Sequence, residues 1–177
     1  MNETIKQLIS KAEIDKRVSE IASKIENDYL GEEVVMICVL TGSAVFTADL
    51  SRKISKIPVI IEFFSVSSYG LNTESNGIKK TYFETKVPLD NKNIIVIEDI
   101  VDTGSTLDCI MNHLKTLNPK SIKICSLLEK TNRRAVKGLD IDYLGFNIGD
   151  YFVVGYGIDY ANKYRNLSYI GSLEFVE

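Results

Sequence analysis

The sequence predicts an α/β fold: a parallel twisted sheet flanked by helices, with a small irregular hood over one end of the sheet. Three observations carry this. Apolar runs rich in β-branched residues, at Val34–Leu40 and 94–97, are too short for helices and read as strands buried on both faces, and 121–128 reads as another buried strand. They alternate with stretches of helical periodicity, as in βαβ units with right-handed crossovers. Beyond about residue 130 the rhythm fails, and Gly145, Gly149, Gly155 and Gly157 punctuate aromatic stretches. Such a segment suits a cover over the sheet end better than another βαβ unit.

Taken in order, Ser10 and Glu13 have the spacing of a capping box. Ile14, Val18, Ile21, Ala22 and Ile25 then recur at helical spacing as far as Tyr29, and Gly31 sits where a helix stop belongs. Val34–Leu40 is a central strand, Thr41-Gly42-Ser43 a turn, and 44–54 a helix through Val45, Ala48 and Leu50. Residues 58–64 read as a third strand. Residues 65–81 are rich in Ser, Asn, Gly and Thr, and a loop of that length is a lid, a binding loop or a disordered segment. Residues 82–87 are expected to return as a strand, with a turn at Asp90-Asn91. A strand from Asn93 and a helix reaching Leu117 follow, closed by Asn118-Pro119, and then the strand at 121–128. Residues 1–177 are read as one domain, its core at about 30–130 and its hood from the N-terminal segment and about 140–177.

The chain has 177 residues, 45% hydrophobic and 25% charged, enough for one sizeable core. A net charge of −3 argues against a nucleic-acid surface built on bulk charge. Cys38, Cys109 and Cys125 have no metal-ligand spacing and read as reduced thiols. No run approaches membrane-spanning length and the polar N-terminus carries no secretory core, so a cytoplasmic protein without a membrane partner is expected.

The chemistry concentrates in residues 93–107, N-I-I-V-I-E-D-I-V-D-T-G-S-T-L. Ligands of open α/β sheets sit outside the carboxyl ends of the strands. Here the strand runs into Glu98, Asp99 and Asp102, followed by Thr103-Gly104-Ser105-Thr106 and a helix start. A hydroxyl- and glycine-rich turn before a helix offers unpaired amides to a phosphate. Carboxylates beside such a nest would repel it unless a cation or sugar hydroxyls intervene. A sugar phosphate with a divalent metal is the ligand this implies.

The same stretch resembles the phosphoribosyl diphosphate (PRPP) signature of type I phosphoribosyltransferases, whose core is Rossmann-like. From Val34 to Arg165 the chain resembles the hypoxanthine-guanine branch of that family. The resemblance implies transfer of the 5-phosphoribosyl group from PRPP to hypoxanthine or guanine, with Mg²⁺ as cofactor and a homodimer or homotetramer as the assembly. It further implies that Glu98 and Asp99 meet the ribose hydroxyls and Mg²⁺, and that Asp102 is the general base or acid at purine N7. Thr103, Gly104, Ser105 and Thr106 would cradle the 5′-phosphate. Thr41 and Gly42 would line the diphosphate loop, where a non-proline cis peptide between Leu40 and Thr41 is implied, and Arg165 would bind the diphosphate. Many relatives carry Lys or Arg where this chain has Thr41. Ser68 and Tyr69 resemble the start of a mobile catalytic loop. Lys130 would donate to the purine 6-oxo group, Phe152 would stack on the base, and the Val153 backbone would read its edge. Asp159 would face the exocyclic 2-position and a second Mg²⁺. His113, with no acid or cysteine cluster around it in sequence, is assigned no catalytic role. Two other functions fit the main signature. A xanthine-preferring phosphoribosyltransferase shares the 6-oxo group. A PRPP-sensing nucleic-acid-binding regulator shares the fold, but such proteins often lack the acid at Asp102 and gain a basic face.

Overall fold

The computed structural model describes residues 2–66, 81–82, 84–136 and 138–176. Ser10 caps the helix α1 (Lys11–Asp28) as its spacing predicts: the Ser10 hydroxyl accepts from Glu13 N, and Glu13 Oε2 accepts from Ser10 N at 2.8 Å. Ile14, Val18, Ile21 and Ile25 form the buried stripe of α1. Burying each such side chain contributes about 1.5–3 kcal/mol. β2 (Val34–Leu40) follows, then α2 (Ala44–Lys53), β3 (Val59–Val66), β4 (Thr81–Tyr82), β5 (Asn93–Val101), α3 (Ser105–Lys115) and β6 (Ser121–Glu129). β7 (Tyr143–Asn147), β8 (Val153–Val154) and β9 (Ile170–Val176) complete the chain, and β1 (Asn2–Ile9) precedes α1.

The main sheet has the order β4-β3-β2-β5-β6-β7, in which β3, β2, β5, β6 and β7 run parallel and β4 pairs antiparallel at the edge. Its faces carry two apolar clusters. One packs Met36, Ile95 and Ile97 against α1 and α2; the other packs Val35, Ile37, Ile94 and Val96 against α3. The two clusters explain why the runs in β2 and β5 are apolar without alternation. β2 leads to β3 on one side, and β5 lies on the other, so the chain changes direction across the sheet between β2 and β5. In open α/β sheets that switch point is where ligands bind.

Three expectations are corrected. Residues 84–89 form no strand, and only Thr81 and Tyr82 pair with β3. Their burial alternates, with Leu89 in the core, but the chain bends at Lys86 and Val87 and makes no ladder. The N-terminal segment, assigned no strand, forms β1 and pairs antiparallel with β9 from Asn2–Val176 to Ile9–Ile170. The hood expected from about residue 140 begins later. β7 belongs to the parallel sheet beside β6, reached through a single 3-10 turn (Thr131–Arg133) instead of a helix. β1, β9 and β8 form a separate three-stranded sheet.

Candidate active site

The carboxyl ends of β2, β5 and β6 bring most of the singled-out residues to one side of the sheet. At the end of β2 the Leu40–Thr41 peptide bond is cis. The turn after it is anchored from below, since the buried Ser43 hydroxyl donates to Val39 O at 2.7 Å. Gly42 lies directly on the Asp99 carboxylate: a Cβ there would fall 1.7 Å from Asp99 Oδ2. Gly157, at φ +100°, closes on the other side, where a Cβ would fall 2.2 Å from Gly42 O. Arg165 donates from Nη1 to Gly157 O at 2.7 Å and pairs through Nη2 with Asp159 Oδ1 at 2.7 Å. Asn162 N donates to the other Asp159 oxygen at 2.8 Å. Thr41, Gly42, Asp99, Asp159 and Arg165 therefore meet around one glycine contact.

Glu98 and Asp99 follow the buried run of β5, which ends at Ile97, and are partly exposed. Burial raises the Glu98 carboxyl well above its ordinary range, and the Asp99 charge beside it adds to the rise. Burial also raises Asp99, against the opposing effects of its hydrogen bond with Glu98, the backbone amides and the Arg165 charge. Ile100 N donates to Asp99 Oδ1 at 2.8 Å. Glu98 Oε2 is shielded from solvent with no donor among the described residues. Among those residues no three acidic, histidine or cysteine side chains converge on a metal position, so Glu98, Asp99 and Asp159 form no common cage.

Past Val101 the chain folds over a cavity of about 100 Å³ lined by Glu98 and by residues 100–107. Gly104 takes φ +85° at the N-terminus of α3, whose first-turn amides have no intrahelical acceptors. Thr103 Oγ1 and Ser105 Oγ lie 3.1 Å apart on its rim. The loop's shape is set from outside: Thr103 O accepts from Ala135 N at 3.1 Å and from Val136 N at 3.2 Å. Arg134, paired with Glu129 at 2.8 Å, ties that bracing segment to β6.

Asp102 and Lys130 close the site. Lys130 N donates to Val101 O at 2.9 Å, which joins the ends of β5 and β6. The Lys130 side chain is buried, with Nζ 3.7 Å from Asp150 Oδ1. Arg133 bridges Asp102, at 3.2 Å, and Asp150, at 3.3 Å. Phe152 is half exposed and meets Tyr160 edge-on at 5.4 Å, while Val153 is buried in β8. Ser68 and Tyr69 lie outside the described residues.

Sequence reading missed Arg133, Asp150 and Gly157. A signal existed for the first, because Arg133 follows Lys130 by three residues, one turn of 3-10 helix beyond a strand end. Gly157 and Asp150 are brought in by contacts between distant segments and leave no local pattern.

The phosphoribosyl transferase domain model matches residues 5–161, most of the chain. The chain belongs to the hypoxanthine-guanine phosphoribosyltransferase family. It is 45% identical to the hypoxanthine phosphoribosyltransferase of Buchnera aphidicola subsp. Schizaphis graminum, over 99% of both chains. Its identity to that of Escherichia coli K12 is 38%, over 98% of this chain and 97% of the other. Among solved structures, a Bacillus anthracis hypoxanthine-guanine phosphoribosyltransferase with a HEPES molecule in its active site superposes with a TM-score of 0.89. It is 47% identical and covers 98% of this chain and 100% of its own. Family and fold thus agree over nearly the whole length, from β1 into the three-stranded sheet.

Proposed function

We infer that the protein carries out purine salvage, transferring the 5-phosphoribosyl group of PRPP to hypoxanthine or guanine to give the nucleoside monophosphate and diphosphate. The observation that carries this reading is the grouping at the ends of β5 and β6. A partly exposed acid pair at the end of β5, a hydroxyl turn opening a helix next to Asp102, and a buried lysine at the end of β6 support it together.

Each residue has a part. The cavity at 102–107 and the first amides of α3 receive the 5′-phosphate, with Thr103, Gly104, Ser105 and Thr106 as its lining. Glu98 and Asp99 face the ribose hydroxyls and Mg²⁺. The fit is supported by the shielded Glu98 Oε2 and by the burial that makes a second negative charge costly there. Two carboxylates completed by substrate oxygens and water suit this ion, which keeps much of its hydration. Bound there, Mg²⁺ would supply positive charge to the departing diphosphate. The Thr41 and Gly42 turn and Arg165, already aimed by Gly157 O and Asp159, hold that diphosphate. Diphosphate leaves C1 of the ribose in line, purine N9 attacks the cationic sugar, and Asp102 exchanges the proton at N7. Lys130 donates to the 6-oxo group, Phe152 lies against the base, the Val153 backbone reads its edge, and Asp159 faces the 2-position. Ser68 and Tyr69 begin a loop that covers the reaction.

The assembly we propose is a homodimer or homotetramer. Ile61 and Phe63, both exposed and alternating along β3, support an apolar contact between copies. A cytoplasmic location is in keeping with free Cys38, Cys109 and Cys125, and no helix among the described residues is long and apolar enough to cross a membrane. Residues 1–177 are taken as a single catalytic domain. The test is a steady-state assay with PRPP and Mg²⁺ against hypoxanthine, guanine, xanthine and adenine. Turnover with either of the first two and none with adenine is expected. No turnover with hypoxanthine or guanine overturns the reading.

A further inference from the structure

Arg133 ends the single 3-10 turn after β6, and its guanidinium spans two carboxylates. Nε lies 3.2 Å from Asp102 Oδ1 and Nη1 lies 3.3 Å from Asp150 Oδ1. The turn is rigidly placed, because Arg133 N donates to Lys130 O at 2.9 Å and Lys130 N donates to Val101 O at 2.9 Å. Arg133 thus hangs, through Lys130, from the end of β5, next to Asp102.

The two oxygens of Asp102 differ. Oδ1 is shielded from solvent, with the guanidinium beside it but no aligned hydrogen bond. The side chain as a whole still exposes 41% of its surface, which therefore lies on its other atoms, and Asp102 lines the cavity at the end of β5. An unrestrained aspartate turns freely about its terminal torsion, which has broad wells. A guanidinium, with donors fixed in one plane, can hold two acids at once and stop that rotation.

We propose that Arg133 is a positioning residue for Asp102: it keeps Oδ1 turned inward, leaving Oδ2 directed at the purine. Asp150 is the second anchor, fixing the guanidinium from the other side. Asp150 also lies 3.7 Å from Lys130 Nζ, so the same chain of charges reaches the group assigned to the 6-oxo position. Both polar contacts with the base are then aligned through one bridge. Half-exposed ion pairs of this kind add little to stability, which leaves orientation as the role of the bridge. Small misplacement of a reacting group can cost orders of magnitude in rate.

The proposal rests on the reading of Asp102 as the group that exchanges the N7 proton, and a double-mutant cycle separates the two. Arg133→Met should lower kcat about ten-fold, a coupling within the usual range for residues in contact, while the KM for PRPP and the Tm stay unchanged. Arg133→Lys should recover part of the loss, and Asp150→Asn should reproduce it in milder form. In an Asp102→Asn background, Arg133→Met should change kcat by less than about two-fold, because its effect passes through Asp102. If Arg133→Met costs the same factor in that background, or costs nothing in the wild type, the proposal is overturned while the role of Asp102 stands. If Asp102→Asn itself leaves kcat intact, the reading of Asp102 falls and takes this proposal with it. Should Arg133→Met not fold, Arg133→Gln and Asp150→Asn carry the same cycle.

Discussion

Two groups of acids stand a few residues apart at the end of β5, and they are treated differently. Glu98 and Asp99 are only partly exposed and desolvation raises both carboxyls, and Glu98 Oε2 has no donor among the described residues. Asp102 Oδ1 also lacks an aligned hydrogen bond, but the Arg133 guanidinium lies 3.2 Å from it, backed by Asp150 and Lys130. The Arg165 charge near Asp99, by contrast, does not offset desolvation there. The contrast follows from what each must meet. A position that receives a metal and sugar hydroxyls gains by having unspent acceptors. A position that exchanges a proton with an uncharged base gains by having its charge balanced and its geometry fixed beforehand. The first group lowers the stability of the protein without its ligands, and the second scarcely affects it.

The largest effect expected of breaking this contrast falls on Asp102. Asp102→Asn keeps size and hydrogen bonding but cannot take a proton, so kcat should fall about 10²–10⁴-fold. PRPP affinity should change little. A single-turnover measurement with PRPP titration separates the two, and a defect mainly in binding would remove Asp102 from the proton-transfer role.

A smaller effect, on stability, is expected at the acid pair. Burial raises both Glu98 and Asp99, and the Asp99 charge adds to the rise at Glu98, so from the ordinary carboxylate range upward the folded protein holds more protons than the unfolded chain. Stability in EDTA therefore declines as pH rises through that interval. Glu98→Gln removes one of the two charges and should flatten the decline. The variant's Tm should exceed that of the wild type increasingly as pH rises above the ordinary carboxylate range, by roughly 2–4 °C for each kcal/mol relieved in a chain of this length. Parallel Tm curves for the two proteins would mean that the pair is not electrostatically costly. A gain in Tm with a loss of activity is the usual pattern where a site is built against stability.

Much of this arrangement was legible in the sequence, for local reasons. The runs that became β2 and β5 were visible because both faces of those strands are buried and no polar residue interrupts Val34–Leu40 or 94–97. β6 was visible through its apolar residues Ile122, Ile124, Cys125, Leu127 and Leu128, despite Lys123 and Ser126. The Ser10–Glu13 capping box and the turn opening α3 were visible because a cap is decided within four residues. β1 was not, because it owes its pairing to β9 at the far end of the chain, and its alternation of polar and apolar residues is too weak to announce a partner. β7 was missed because a 3-10 turn replaces the helix that marks a βαβ unit. The stretch at 84–89 misled for the converse reason: alternation is present but it pairs with no strand among the described residues. In the site, the three acids and the hydroxyl turn share one segment and could be read together. The bridge from Arg133 to Asp150 and the close approach of Gly157 to Gly42 depend on tertiary contacts.

The contrast between the two acid groups is tested most directly by titrating PRPP, with and without Mg²⁺, into the wild type, Glu98→Gln and Asp102→Asn. Asp102→Asn should keep the affinity of the wild type and its dependence on Mg²⁺, and Glu98→Gln should lose the greater part of both. Equal losses in the two variants, or a loss confined to Asp102→Asn, would contradict the division of the acids into one group for metal and ribose and one for the base.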